Sequence, residues 1–189
     1  MTKVSAPVAL ALLLASATAT APLAAQDESS AAAADPEART QAAPADVESI
    51  NAIILSLYDV ISGPAGEKRD WDRMRSLFID GARLIPTGRR QNGKGGHRVM
   101  SVEDYITGSG SYLEENGFFE TEVSRKTDQF GNIAQVFTTY ESRRTPEAEP
   151  FMRGINSFQL WHDGDRWWVV SIFWENESAE NPIPDKYLD

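Results

Sequence analysis

The stretch over residues 153–175, RGINSFQLWHDGDRWWVVSIFWE, holds four of the chain's five tryptophans. Two runs rich in aromatic and β-branched residues flank the turn pair Asp163-Gly164, a pattern that predicts one long β-hairpin. Successive strand residues point to opposite faces, so the parity of the residue number sorts each arm into two sides. In the first arm the even residues Met152, Gly154, Asn156, Phe158 and Leu160 form the more apolar side and are expected to pack inward. The odd residues Arg153, Ile155, Ser157, Gln159 and Trp161 then face out. In the second arm parity groups Trp168, Val170, Ile172 and Trp174 on one wholly apolar side, while the opposite side, from Trp167 to Glu175, is also mostly apolar. A sheet apolar on both sides needs both covered. Helices are expected on one side. On the other a second copy of the chain is expected, a homodimer through the outer sheet face; the alternative is cover from the chain itself, part of it from residues 179–189.

Upstream of the hairpin the pattern is first helical, then extended. Asp46 is expected to cap a helix whose apolar stripe runs through Val47, Ile50, Ile54, Leu57 and Ile61 and which Gly63-Pro64 ends. A second helix is expected after Asp70, with Trp71, Met74, Leu77 and Phe78 inward, broken at Gly81 and followed by a short strand over 82–86. Residues 88–98, glycine-rich and basic, read as a solvated loop. Ser101 and Asp104 match a capping box at the start of a third helix closed by Gly117. Gly108 and Gly110 each weaken that helix by about 1 kcal/mol relative to alanine and invite a bend. Residues 118–126 and 133–143 read as strands about a turn at 128–132. The fold class that follows is α+β over residues 46–178: a curved antiparallel sheet wrapped on three N-terminal helices.

Residues 1–25 have the make-up of a secretory signal peptide, with Lys3, an apolar run over 8–15, A-x-A triplets and a cut after Ala25. The run is too short for a membrane span. Residues 26–45 hold no large apolar side chain and read as a disordered linker, ahead of the domain and of a C-terminal tail over 179–189. The expected address is secreted, in the periplasm. The chain has no cysteine, so its stability is expected from core packing rather than disulfides. Its net charge of −10 repels phosphate backbones, which argues against nucleic acid as a partner.

The junction Leu77-Phe78 … Ala82-Arg83-Leu84 and the hairpin spacing Gly154-x-Asn156-x-Phe158-x-Leu160 … Asp163-Gly164 … Trp168-x-Val170, in this order of elements, resemble the nuclear transport factor 2-like superfamily, also called SnoaL-like. That superfamily includes ketosteroid isomerase, scytalone dehydratase and limonene epoxide hydrolase. The resemblance covers about residues 46–176 and implies a cystatin-like cone with a cavity open at one end. Laid over the isomerase pattern, the general-base aspartate falls near Pro86, the oxyanion-hole aspartic acid at Asn156 and the oxyanion-hole tyrosine at Leu57, beside Tyr58. Proline takes no proton, so steroid-type isomerisation is disfavoured; Asn156 retains a donor through its amide. Scytalone dehydratase-type chemistry needs cavity histidines, and His97 and His162 both read as exposed. An epoxide hydrolase-type cluster finds arginines in Arg83, Arg125 and Arg153 but no inward aspartate by parity.

Asn156, Trp174, Tyr140, Tyr58, Thr138 and Phe158 are the candidate ligand contacts. The run Gly88 to Gly95 nearly spells a phosphate-binding loop, but Gly95 stands where the Mg²⁺-binding hydroxyl belongs, so no cofactor is expected. Two isolated histidines give no metal site. The expected function is a secreted domain that binds a small apolar or amphipathic molecule, or associates with itself, without assigned catalysis. The alternatives are a small isomerase-, dehydratase- or cyclase-type enzyme in which Asn156 polarises a substrate oxygen, and an envelope protein-interaction module using the second sheet face.

Overall fold

The computed structural model describes residues 40–90 and 92–189. The expected leader, residues 26–39 of the expected linker and Gln91 lie outside the described residues. Four α-helices, α1 (Pro44–Val47), α2 (Ile50–Ile61), α3 (Trp71–Ser76) and α4 (Val102–Asn116), accompany six strands. The strands are β1 (Phe78–Arg89), β2 (Gly95–His97), β3 (Phe119–Phe130), β4 (Ile133–Arg143), β5 (Met152–His162) and β6 (Trp167–Asn176), followed by a 3₁₀ turn at Asp185–Tyr187. They form one curved sheet in the order β2-β1-β6-β5-β4-β3. Its neighbours pair antiparallel except β1 and β6, which run parallel.

The inner face of the sheet is laid down in cross-strand rows. Ala134, Leu160, Val169 and Phe78 stand opposite one another in turn, as do Val136, Phe158, Ile172 and Leu84. These two rows are apolar and pack against Ile53, Ile54, Leu57 and Met74 of the helices. The next rows change character: Thr138, Asn156, Trp174 and Pro86, then Glu122, Tyr140, Gly154 and Asn176, then Glu120, Ser142 and Met152. The face therefore grades from hydrocarbon at one end to hydroxyl, amide and carboxyl at the other.

Bulges in β6 and β3, with an irregular stretch between Phe78 and Arg83 of β1, set which residues belong to those rows. Leu160 pairs with Val169 but Gln159 with Ser171, so Val170 is the extra residue. The bulge reverses the parity expected for β6: Trp167 and Val169 are buried inward on the turn side of it, and Ile172 and Trp174 inward beyond it. Trp168 instead lies opposite Trp161 on the outer face, beneath the Arg166 guanidinium at 3.7 Å. In β3, Glu122 pairs with Tyr140 but Ser124 with Thr139, leaving Val123 unpaired and exposed.

Other expectations change for local reasons. Asp46 does not cap the long helix. Ser49 does, accepting the Ala52 N–H at 3.0 Å, and a break at residues 48–49 separates α1 from α2. Asp46 is instead buried under two Arg73 nitrogens (2.8 and 2.9 Å) and the Ser56 hydroxyl (3.0 Å), which hold its carboxyl below the usual range, the Arg73 bonds most of all. Order starts ahead of Asp46, since α1 opens at Pro44 and Ala42 packs on the core. The second helix ends at Ser76, before Gly81, and the strand that follows is twelve residues long. The expected basic loop is a β-hairpin, with Thr87 opposite His97 and Arg89 opposite Gly95. Helix α4 begins in the expected capping box and runs unbroken through both glycines. Gly110 is there for packing: a Cβ would meet the Trp71 ring at 3.3 Å.

The outer face is partly covered by the chain itself. Tyr187 stacks on Phe137 at 5.2 Å, its carbonyl accepts the Thr139 hydroxyl, the Asp189 carbonyl accepts the Ser124 hydroxyl at 2.6 Å, and Ile183 is buried. A line of apolar side chains across the other end of that face stays open: Phe130 (84% exposed), Ile133 (60%) and Trp161 (41%) stand directly opposite one another.

Candidate functional site

Between the concave sheet face and helices α2 and α4 lies a cavity of about 240 Å³. Its deep end is made of buried Leu57, Met74, Leu84 and Phe158. Its shallow end is made of half-buried Ser109 and Met152 and of Tyr112, half exposed at 50%. Edge-to-face ring pairs stiffen the walls: Tyr58 with Phe158 at 6.3 Å and Tyr105 with Trp174 at 6.4 Å.

Five of the six expected contacts, Asn156, Trp174, Tyr140, Tyr58 and Phe158, line this cavity. Thr138 does not. It is wholly buried behind the Tyr58 phenol and shares a 2.5 Å hydrogen bond with it, so it positions Tyr58 rather than facing a ligand. Asn156 Nδ2 donates to Tyr58 Oη at 3.1 Å and to Glu120 Oε1 at 3.4 Å, so the amide is a bridge between two cavity groups. The Tyr140 phenol donates outward to Asn176 Oδ1 at 2.6 Å. Gly154 makes room for that ring: a Cβ there would come 2.4 Å from Tyr140 Oη and 2.5 Å from the Glu175 carbonyl.

The residue absent from the sequence reading is Glu120. Its carboxyl lines the cavity, half-buried, and accepts the Ser142 hydroxyl at 2.9 Å and the Asn156 amide. Removal from water pushes its pKa up to about 7, against the opposing pull of those two hydrogen bonds. Its charge in turn acts on the phenols around it. Tyr58, Tyr105 and Tyr140 are all raised, each by burial first and by Glu120 next. Ser62, just past the end of α2, ties the group together, accepting the Glu120 N–H at 3.0 Å and donating to the Tyr58 carbonyl at 2.6 Å.

The remaining sequence candidates lie elsewhere. His97 is exposed on β2, and His162, expected in solvent, is half-buried edge-on to Trp167 at 5.0 Å. Arg83 and Arg153 sit on the outer face. Arg125 is on the inner side but is paired with Glu122 at 2.5 Å. Among the described residues no group of three or more His, Cys, Asp or Glu side chains gathers as a metal site, and no helix is long and apolar enough to cross a membrane.

No protein-family profile matches the chain, and no curated protein matches it. Solved structures do. A protein of unknown function with a cystatin-like fold from Nostoc punctiforme is 10% identical over 74% of this chain and 97% of its own, with a TM-score of 0.53. A candidate dehydratase of the nuclear transport factor 2-like family from Streptomyces avermitilis is 13% identical over 71% of this chain and 97% of its own, with a TM-score of 0.51. A candidate calcium/calmodulin-dependent protein kinase type II association domain from Thiobacillus denitrificans is 10% identical over 69% and 96%, also with a TM-score of 0.51. At these identities the likeness is one of architecture: the chain has the α+β, cystatin-like fold of nuclear transport factor 2-like proteins.

Proposed function

We propose that the chain is a binding domain for a small, largely apolar molecule with one polar end, acting in the periplasm after removal of a leader over residues 1–25. The observation that carries this reading is the one-sided polarity of the cavity, apolar at Leu57, Met74 and Phe158 and polar at Glu120, Asn156 and Tyr58. At about 240 Å³ it falls just under the roughly 300–1,000 Å³ usual for ligand pockets, which favours a small occupant. Native mass spectrometry of the protein purified from the cell envelope tests the reading. The expected spectrum shows a small-molecule adduct on a chain beginning at Gln26, lost in an Ile172→Trp variant that fills the cavity. A wild-type chain that carries no adduct and takes up none of a panel of small amphiphiles would sink it.

A second reading, a small isomerase-, dehydratase- or cyclase-type enzyme, draws support from Glu120. A carboxyl that exchanges its proton near neutrality suits general acid–base work, and a neighbour of like fold is named as a candidate dehydratase. In that reading Glu120 handles the proton and Asn156 holds it in place. Turnover of a captured ligand by wild type and its loss in Glu120→Gln would select this reading. Self-association through the outer face draws support from the open row Phe130, Ile133 and Trp161, and the same spectra count the subunits.

A further inference from the structure

Of the seventeen side chains that line the cavity, seven are aromatic, one is a carboxyl, and none is lysine, arginine or histidine. Among the described residues the carboxyl has no resident counter-ion. From α2 it is faced by the Tyr58 phenol, from α4 by Tyr105, from β4 by Tyr140 and Ser142, from β5 by Asn156, and β6 brings Trp174. The nearest acid on its own strand, Glu122, is held by Arg125, which also reaches Asn51 at 3.2 Å. Two arginines stand near the shallow end, and both are engaged. Arg144 lies over the Tyr112 and Phe151 rings at 5.1 and 4.3 Å and bonds the Tyr112 hydroxyl, while Arg69 is buried and donates to backbone carbonyls of residues 61, 63, 64, 67 and 113.

A carboxylate in such surroundings is short of one thing, a positive charge, and electron-rich ring faces attract the same partner. A ligand carboxylate or phosphate would meet Glu120 and the negative ring faces with no cation to offset them. An ammonium group supplies the missing charge through a charge-assisted hydrogen bond. Space limits the rest of the molecule: a cavity of about 240 Å³ lies just under the range usual for ligand pockets and calls for a small occupant. Resting on the binding reading above, we infer that the cavity takes a small organic amine, its ammonium group on the Glu120 carboxylate and its apolar body against Met74, Phe158 and Ile172. The free protein keeps Glu120 largely protonated below about pH 7, so capture of the cation releases a proton there, and affinity rises as pH passes upward through that value.

Benzylamine, benzyl alcohol and benzoate share one shape and differ in charge. Titrated calorimetrically into the mature chain at pH 8.5, benzylamine is expected to bind at least tenfold more tightly than benzyl alcohol, and benzoate more weakly than either. At pH 5.5 the preference for the amine should shrink several-fold, and near pH 6.5 its binding should release protons in buffers of differing ionisation enthalpy. Glu120→Gln should abolish the preference for benzylamine over benzyl alcohol. Equal affinity for amine and alcohol in wild type overturns the inference and leaves the binding reading standing. Binding of none of the three overturns both. The wild-type pH series needs no variant, so a poorly folded Glu120→Gln protein does not shield the inference.

Discussion

Glu120 is expected to leave a mark on stability as well as on ligand choice. Its pKa lies near 4.5 in the unfolded chain and about 7 in the folded one. Between those values the native state keeps a proton that the unfolded state has lost, so stability falls as pH rises from 4.5 to 7 and is level above. The whole effect amounts to roughly 3 kcal/mol. Glu120→Gln is expected to remove this slope and to be the more stable protein at pH 8, by up to that amount. Urea midpoints of both proteins at pH 5 and pH 8 measure it, and parallel wild-type and variant profiles would count against a carboxyl desolvated in this way. Asn156 was legible in the sequence because hairpin parity places it directly, and Tyr58 through its place beside Leu57 in the family pattern. Glu120 was not, and the reason lies one level up.

Counted back from the tight turn at Gly131, where Phe130 pairs with Ile133, a regular ladder would set Glu120 opposite Arg143, on the outer face. The extra residue Val123 shifts the register by one, so that Glu120 faces Ser142 and enters the cavity. Nothing about the valine itself announces a bulge, which is why alternation alone could not find the acid. The Val170 bulge acts in the same way in β6 and brings Ile172 and Trp174 in beside Phe158 and Asn156. The bounds of β4, the capping box of α4 and the inner side of β5 are local and were readable; the registers joining strands are not local. Deleting Val123 is expected to restore the regular ladder, turn Glu120 to solvent and return its carboxyl to an ordinary range. Carboxyl ¹³C chemical shifts of Glu120 followed with pH in the wild-type and deleted chains read this out. A titration still centred near neutrality after the deletion would contradict it.

At the scale of the whole molecule, one sheet face holds the cavity and the other is divided between the tail and open surface. Cover from the chain's own tail, the alternative to a second copy, is present over part of the outer face through Ile183, Tyr187 and the carbonyl of Asp189. A chain ending at Ser178 uncovers Phe137 and loses the buried Ile183, worth roughly 1.5–3 kcal/mol by the usual value for such a side chain. The expected outcome is a lower urea midpoint together with more self-association by sedimentation, because the open row at Phe130, Ile133 and Trp161 gains a neighbouring apolar surface. An unchanged midpoint would mean that the tail rests on the sheet without holding to it.

The Val123 bulge has a further consequence for how the protein can change over generations. Side chains on a strand have only two settings, in or out, and exchanging one amino acid for another alters what a position carries without altering its setting. Loss or gain of a single codon in the edge hairpin flips every residue on one side of the change at once. The acid of this cavity is therefore governed by a frame of its own, invisible to a substitution scan and open to a scan of single-residue deletions.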